Sequence, residues 1–168
     1  MRDALDRHSS IGRLPFDPDA IARVLQPIET ARGLPNDAYM SEAFRDFERD
    51  RVIARTWFCI GFGRDIPSAG DAFPSDVMGL PIVMLRREDG SIGVFHNVCS
   101  HRGAQLLIEP CNLAKRLRCP YHAWLYDLDG KLIATPHIGG PKTNAASGFN
   151  KSQHGLKPVR HAYFWDMV

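Results

Sequence analysis

The chain has 168 residues, 44% of them hydrophobic and 24% charged, enough for one domain that buries roughly 70% of its unfolded surface, which excludes a disordered tail protein. Its 21 Lys and Arg stand against 19 Asp and Glu, too near balance for a broad basic face, so no nucleic-acid partner is expected. The most apolar stretch, 52–63, carries Arg55 and falls short of the roughly 18 uncharged residues of a membrane helix. The opening MRDALDRHSS lacks the apolar run of a secretory signal; no membrane association and a cytoplasmic location are the expectations.

Residues 1–36 contain Pro15, Pro18, Pro27 and Pro35 and read as an extended or partly disordered arm, with at most one helical turn near Asp19–Leu25. Gly and Pro then vanish through Trp57, while Met40, Phe44, Phe47 and Val52 recur at helical spacing. This predicts one α-helix over about 38–54, within a segment 37–55 that packs on the domain after it. Asn36 or Ser41 can cap it, and Glu42, Arg45, Asp46, Glu48, Arg49 and Asp50 form a solvated face. Beyond Trp57 turn signals come about every eight to twelve residues, the mark of a mainly β, antiparallel sandwich or small barrel over 56–168. The candidate strands are 56–61, 71–77, 81–87, 91–96, 115–118, 124–127, 131–134 and 159–167. Asp89-Gly90 and Asp129-Gly130 read as hairpin turns, and 139–155 as a polar surface excursion.

One feature carries chemistry: Cys99-Ser100-His101, then 17 residues, then Cys119-Pro120-Tyr121-His122. Each loop offers one thiol and one imidazole, so four soft or borderline metal ligands can converge if the loops are apposed. Gly103 lets the first loop turn sharply, and Pro120 stiffens the second. A structural zinc site also uses two thiolates and two imidazoles. Zinc fingers, however, take both cysteines from one knuckle and both histidines from a helix, whereas each loop here mixes one of each. Mixing suits a binuclear centre in which one iron takes the cysteines and the other the histidines.

CSHRGA followed by CPYHAWLYDLDG resembles the Rieske [2Fe–2S] domain, in particular the one that opens the α subunit of ring-hydroxylating and related non-haem iron oxygenases. The resemblance runs from about Tyr39 to Val168 and includes FERDRVIARTW and the closing GLKPVRHAYFWDMV. It implies a Rieske-type β-sandwich with two cluster-binding loops over 56–168, preceded by the arm and the helix. It also implies one [2Fe–2S] cluster on Cys99, His101, Cys119 and His122, with His122 the electron exit. The implied partners are an NAD(P)H-dependent reductase or ferredoxin as donor, an oxygenase catalytic domain with mononuclear Fe(II) as acceptor, and an α-subunit homotrimer in the full-length form. Respiratory Rieske proteins carry an extra, disulfide-bonded cysteine in each loop; the matching residues here are Ala104 and Tyr121, which points to the oxygenase or ferredoxin type. One departure is Ala123, where the family commonly has Gly; its methyl bears on the backbone's approach to the cluster and removes no ligand. Two imidazoles in place of two thiolates raise the potential, and without the disulfide and its associated hydroxyls a value near the low end, roughly −150 mV, is expected.

The facial triad of two histidines and a carboxylate that would hold the catalytic iron has no match. His137, His154 and His161 follow His122, but no Asp-x-x-His-x-x-x-x-His pattern does. The chain therefore reads as an N-terminal fragment or truncated form of such an α subunit that transfers electrons and carries no catalytic residue. The alternatives are a stand-alone Rieske-type ferredoxin and a structural zinc module. Trp124 and Tyr126 read as core that can also shield the cluster, and Cys59 and Cys111 as buried small hydrophobes. His8, His96, His137, His154 and His161 read as surface or satisfied-core residues.

Overall fold

In the computed structural model, which describes residue 15 and residues 17–168, Asp17 and Pro18 start the first helix. The Asp17 side chain accepts from the Asp19 amide at 3.1 Å and Pro18 fills the first position of α1 (Pro18–Val24), a cap and a pre-set φ that together favour a helix. The arm is thus helical over 18–24, where the sequence suggests extended chain with at most one turn. The rest of its opening, with His8, lies outside the described residues. The single helix expected over 38–54 is broken into α2 (Asp37–Met40), α3 (Glu42–Arg51) and a 3-10 turn at Ile53–Arg55. The break is at Ser41, which is extended (φ −80°, ψ 126°) and whose hydroxyl accepts from the Phe44 amide at 3.3 Å. A serine side chain that satisfies a free amide favours a new start over continuation. Arg49 pairs with Asp46 (3.0 Å) and Asp50 (2.7 Å) on the solvated face of α3, and no residue of the three helices is buried. The chain divides into two compact units after Phe58.

The second unit, from Cys59 onward, is built of two antiparallel sheets. β1 (Asp71–Val77), β2 (Leu80–Arg86), β3 (Ile92–His96) and β4 (Cys111–Asn112) form one, in the order β3-β2-β1-β4. β5 (Arg116–Arg118), β6 (Leu125–Asp127) and β7 (Leu132–Ala134) form the other, in chain order. Each strand expectation between 71 and 134 meets a strand, and both expected hairpin turns are there. At the second, Gly130 has φ 77°, and a Cβ on it would come within 2.6 Å of the Phe95 ring, so both conformation and space require glycine. The two-residue β4, paired to Asp71 and Ala72, is too short to leave a pattern.

The strands expected at 56–61 and 159–167 are not formed. Ile60 donates to Val168 (2.9 Å) and Val168 to Gly61 (3.0 Å), with an isolated bridge between Phe62 and Met167. The pairing stops there because a 3-10 turn at Gly63–Asp65 and a tight turn around Trp165 (φ 59°) bend the two segments away. This pair lies against β1 and β2. Ser75 donates to the Ile60 carbonyl at 2.6 Å, and the Arg86 guanidinium to the carbonyls of Ile66 and Gly63, both at 2.8 Å. β2 is consequently buried on both faces, which is why Ile82-Val83-Met84-Leu85 is an unbroken apolar run.

Ala72, Val83, Leu85 and Phe95 of the first sheet share a core with Leu117, Tyr126 and Leu132 of the second; Cys99, Leu106, Cys119, Trp124 and Leu156 complete it. Cys59 and Cys111 are exposed, contrary to the expectation of buried small hydrophobes, because both sit on irregular or edge backbone outside that core. Among the described residues no helix is long and apolar enough to cross a membrane.

Candidate metal centre

The two loops share one backbone frame. In the first, Val98 bridges Gln105, the Cys99 amide donates to the Ala104 carbonyl (2.8 Å) and the Gly103 amide to the Cys99 carbonyl (3.0 Å). In the second, Arg118 pairs with Leu125, the Cys119 amide donates to the Trp124 carbonyl (2.8 Å) and the Ala123 amide to the Cys119 carbonyl (3.1 Å). Gly103 and Ala123, each the fourth residue after its cysteine, are both left-handed, with φ 71° and 56°. The glycine that the sequence points to as the sharp turn therefore has a non-glycine counterpart in the same conformation. The histidines sit two and three residues after their cysteines within this common frame.

The frame places the four expected ligands in two pairs. The rings of His101 and His122 have centroids 4.8 Å apart, and the Cys119 thiol neighbours that of Cys99. Among the described residues no group of three or more His, Cys, Asp or Glu side chains is placed to hold a single metal ion. Both cysteines are free and buried, each 2% exposed, while both histidines are partly exposed. The sulfur end of the site thus lies in the core and the imidazole end faces outward. His101 and His122, with Tyr121 and His137, line an open cleft of about 770 Å³.

These residues fit a metal cluster on three counts. His122 Nδ1 is buried without a hydrogen-bond partner, a position that a native fold fills with a partner and that a metal bond would satisfy. Burial pushes the Cys99 thiol up, with the neighbouring Cys119 adding to it, so only a nearby cation would make a thiolate favourable there. Burial also holds the His101 imidazole below its usual value, assisted by His122 and Arg102, which keeps it neutral, the form that ligates metal.

The surroundings are aromatic. Trp124, 2% exposed, stacks on His101 with centroids 4.6 Å apart at 12°, so the expected core residue also covers that imidazole. Phe149 meets Trp124 edge-on at 5.8 Å and stacks on His154 at 4.7 Å, giving that histidine a packing role. Tyr126, fully buried, contributes a polar tip as well as core volume. Its hydroxyl lies 3.2 Å from Cys99 Sγ and 3.0 Å from Ser100 Oγ, and accepts from the Ser100 amide at 3.2 Å. Burial pushes this phenol well above its usual value, so it keeps its proton. The sequence-based expectation of a site without hydroxyls is therefore corrected. Strand alternation assigns Tyr126 to the core, but where its oxygen ends depends on the first loop, 26 or more residues away in the chain.

A family model of the Rieske [2Fe-2S] domain matches residues 56–145, which contain both loops. The chain belongs to the Rieske [2Fe-2S] domain family. Its relatives include the glycine betaine monooxygenase oxygenase subunit of Chromohalobacter salexigens, 33% identical over 141 residues that make up 84% of this chain and 30% of that protein. Biphenyl 2,3-dioxygenase subunit alpha of Rhodococcus jostii is 36% identical over 161 residues, 95% of this chain and 34% of that protein. The apo crystal structure of the quaternary ammonium Rieske monooxygenase CntA superposes with a TM-score of 0.72 at 28% identity, over 82% of this chain and 39% of that one. This Rieske chain spans about a third of the length of the curated relatives it matches and corresponds to the Rieske part of oxygenase α subunits. Membership of the family implies a [2Fe–2S] cluster.

Proposed function

We propose that Cys99 and Cys119 hold one iron of a Rieske [2Fe–2S] cluster, His101 and His122 hold the other, and the chain relays electrons towards a mononuclear non-haem iron oxygenase centre. When bound, the cluster supplies a one-electron store whose potential the ligand set raises above that of an all-cysteine cluster. The observation that carries the reading is the common frame of the two loops, which pairs thiol with thiol and imidazole with imidazole and leaves His122 Nδ1 buried without a partner.

The residues divide the work by position. The buried cysteines keep water from the sulfur end, and Trp124 covers His101. The partly exposed histidines form the edge through which electrons pass, with His122 the exit, beside the cleft that its own loop and His137 line. A reductase or ferredoxin would be the donor, and the acceptor would be the iron of an oxygenase catalytic domain outside the matched region. Relatives named for glycine betaine and for biphenyl match this chain at 33% and 36% identity. That breadth at similar identity supports assigning substrate choice to the other two thirds of such proteins.

Anaerobic reconstitution with iron and sulfide tests the reading. Equal amounts of iron and acid-labile sulfide, with a visible spectrum that bleaches on dithionite addition, are the expected result. A chain that takes up equimolar zinc and no labile sulfide would overturn it.

A further inference from the structure

The ligand assignment leaves the side chain of Ser100, between Cys99 and His101, without a role. Its hydroxyl has one proton, and it donates that proton to the backbone carbonyl of His154, a group that can only accept. Ser100 Oγ also lies 3.0 Å from the Tyr126 hydroxyl. With the serine proton on His154, this contact is a hydrogen bond only if the phenol is the donor. The phenol oxygen already accepts from the Ser100 amide, and its own single proton has a second acceptor within reach, Cys99 Sγ at 3.2 Å. A cysteine thiol can donate to the phenol, but a metal-bound thiolate has no proton and only accepts. Once Cys99 is ligated, Ser100 Oγ and Cys99 Sγ compete for one proton, in a pocket where Tyr126 is fully buried and water offers no substitute.

We propose that Ser100 is a positioning residue that lowers the reduction potential of the cluster, by drawing the Tyr126 proton away from the Cys99 sulfur. The inference rests on the ligand reading above. A hydrogen bond to a ligand sulfur disperses negative charge and favours the reduced, more negative state, so a donor there raises the potential. Tyr126 is that donor, and Ser100 holds it back. The His154 carbonyl fixes the serine in this role, because while it holds the serine proton Ser100 Oγ can act towards Tyr126 only as an acceptor. The segment around the 3-10 turn Lys151–Gln153 thereby bears on the potential through a backbone group without touching a ligand.

The test is a dye-mediated redox titration of the reconstituted full chain, followed in the visible bands. Tyr126→Phe is expected to lower the equilibrium constant for reduction about tenfold, about 59 mV for a one-electron couple. Ser100→Ala is expected to raise it a few-fold, and to have no effect in the Tyr126→Phe background, because its action passes through the phenol. Ser100→Gly makes the same measurement if the alanine variant does not load the cluster. An unchanged or lowered potential in the Ser100 variant, or a rise that survives without the phenol, would overturn this inference alone. A wild-type chain without labile sulfide would instead overturn the ligand reading, before any potential is compared.

Discussion

Ala123 holds the left-handed position that Gly103 holds in the other loop. An L-residue there is strained by roughly 1–2 kcal/mol, while a glycine gives up roughly 0.4–1 kcal/mol through the greater freedom of the unfolded chain. The difference favours glycine. Ala123→Gly is expected to stabilise the chain by about 0.5–1 kcal/mol, read as a rise of about 2 °C in melting temperature. The reciprocal change is informative because nothing lies within 4 Å of a Cβ built on Gly103. Gly103→Ala should lose a similar amount and leave the visible spectrum unchanged; a lost cluster would show that the loops are not equivalent. Ligand substitutions differ in kind. Cys119→Ser and His101→Ala are expected to abolish cluster binding and loosen both loops, since ligation and folding are coupled. Full iron occupancy with native melting in either variant would contradict the ligand assignment.

At the scale of elements, the first loop depends on a brace. Asn97, fully buried between β3 and Cys99, donates from Nδ2 to the Leu107 carbonyl (2.7 Å) and accepts the Leu107 amide on Oδ1 (3.0 Å). The side chain thus acts as one more rung of backbone pairing and closes the base of the loop. Asn97→Ala would leave the Leu107 amide without a partner and its carbonyl with the Gln105 side-chain amide alone (3.1 Å), a loss of about 2 kcal/mol. Faster amide exchange across 98–107, with β1 and β2 still protected, is the outcome that separates a local brace from a general packing defect. Asn97 is also an example of what the sequence conceals. Strands β1–β3 and β5–β7 are legible in it because turn residues such as Asp89-Gly90 bound short apolar runs, and the two candidate loops because thiol and imidazole recur at tight spacing. The break at Ser41 is not, since helical periodicity continues through it while the hydroxyl takes the Phe44 amide. Nor are the hydroxyls of Ser100 and Tyr126 or the carboxamide of Asn97. Each has its role through a partner that only the folded chain brings near, Tyr126 from β6 and Leu107 from beyond the loop.

For the whole molecule, the position of the two loops would make a cluster held by both a structural tie as well as a redox group. The first loop follows β3 in one sheet and the second joins β5 to β6 in the other, so four ligands on one cluster would bind the sheets across the core they share. A covalent link that closes a loop of this kind contributes roughly 2–4 kcal/mol, and each kcal/mol moves the melting point of a chain this size by about 2–4 °C. Removing the iron with a chelator under reducing conditions is therefore expected to lower the melting temperature by about 10 °C. The buried core runs from Ile66 to Val168, and α1–α3 bury no residue. The family match begins at residue 56, close to the division between the compact units after Phe58. A chain that starts at Cys59 should accordingly fold, load the cluster with the spectrum of the full chain, and lose the same increment of melting temperature on iron removal. If the shorter chain loaded normally but melted alike with and without iron, the cluster would not be the tie between the sheets. If it failed to load at all, the helical segment would be needed to assemble the site, despite burying nothing of its own.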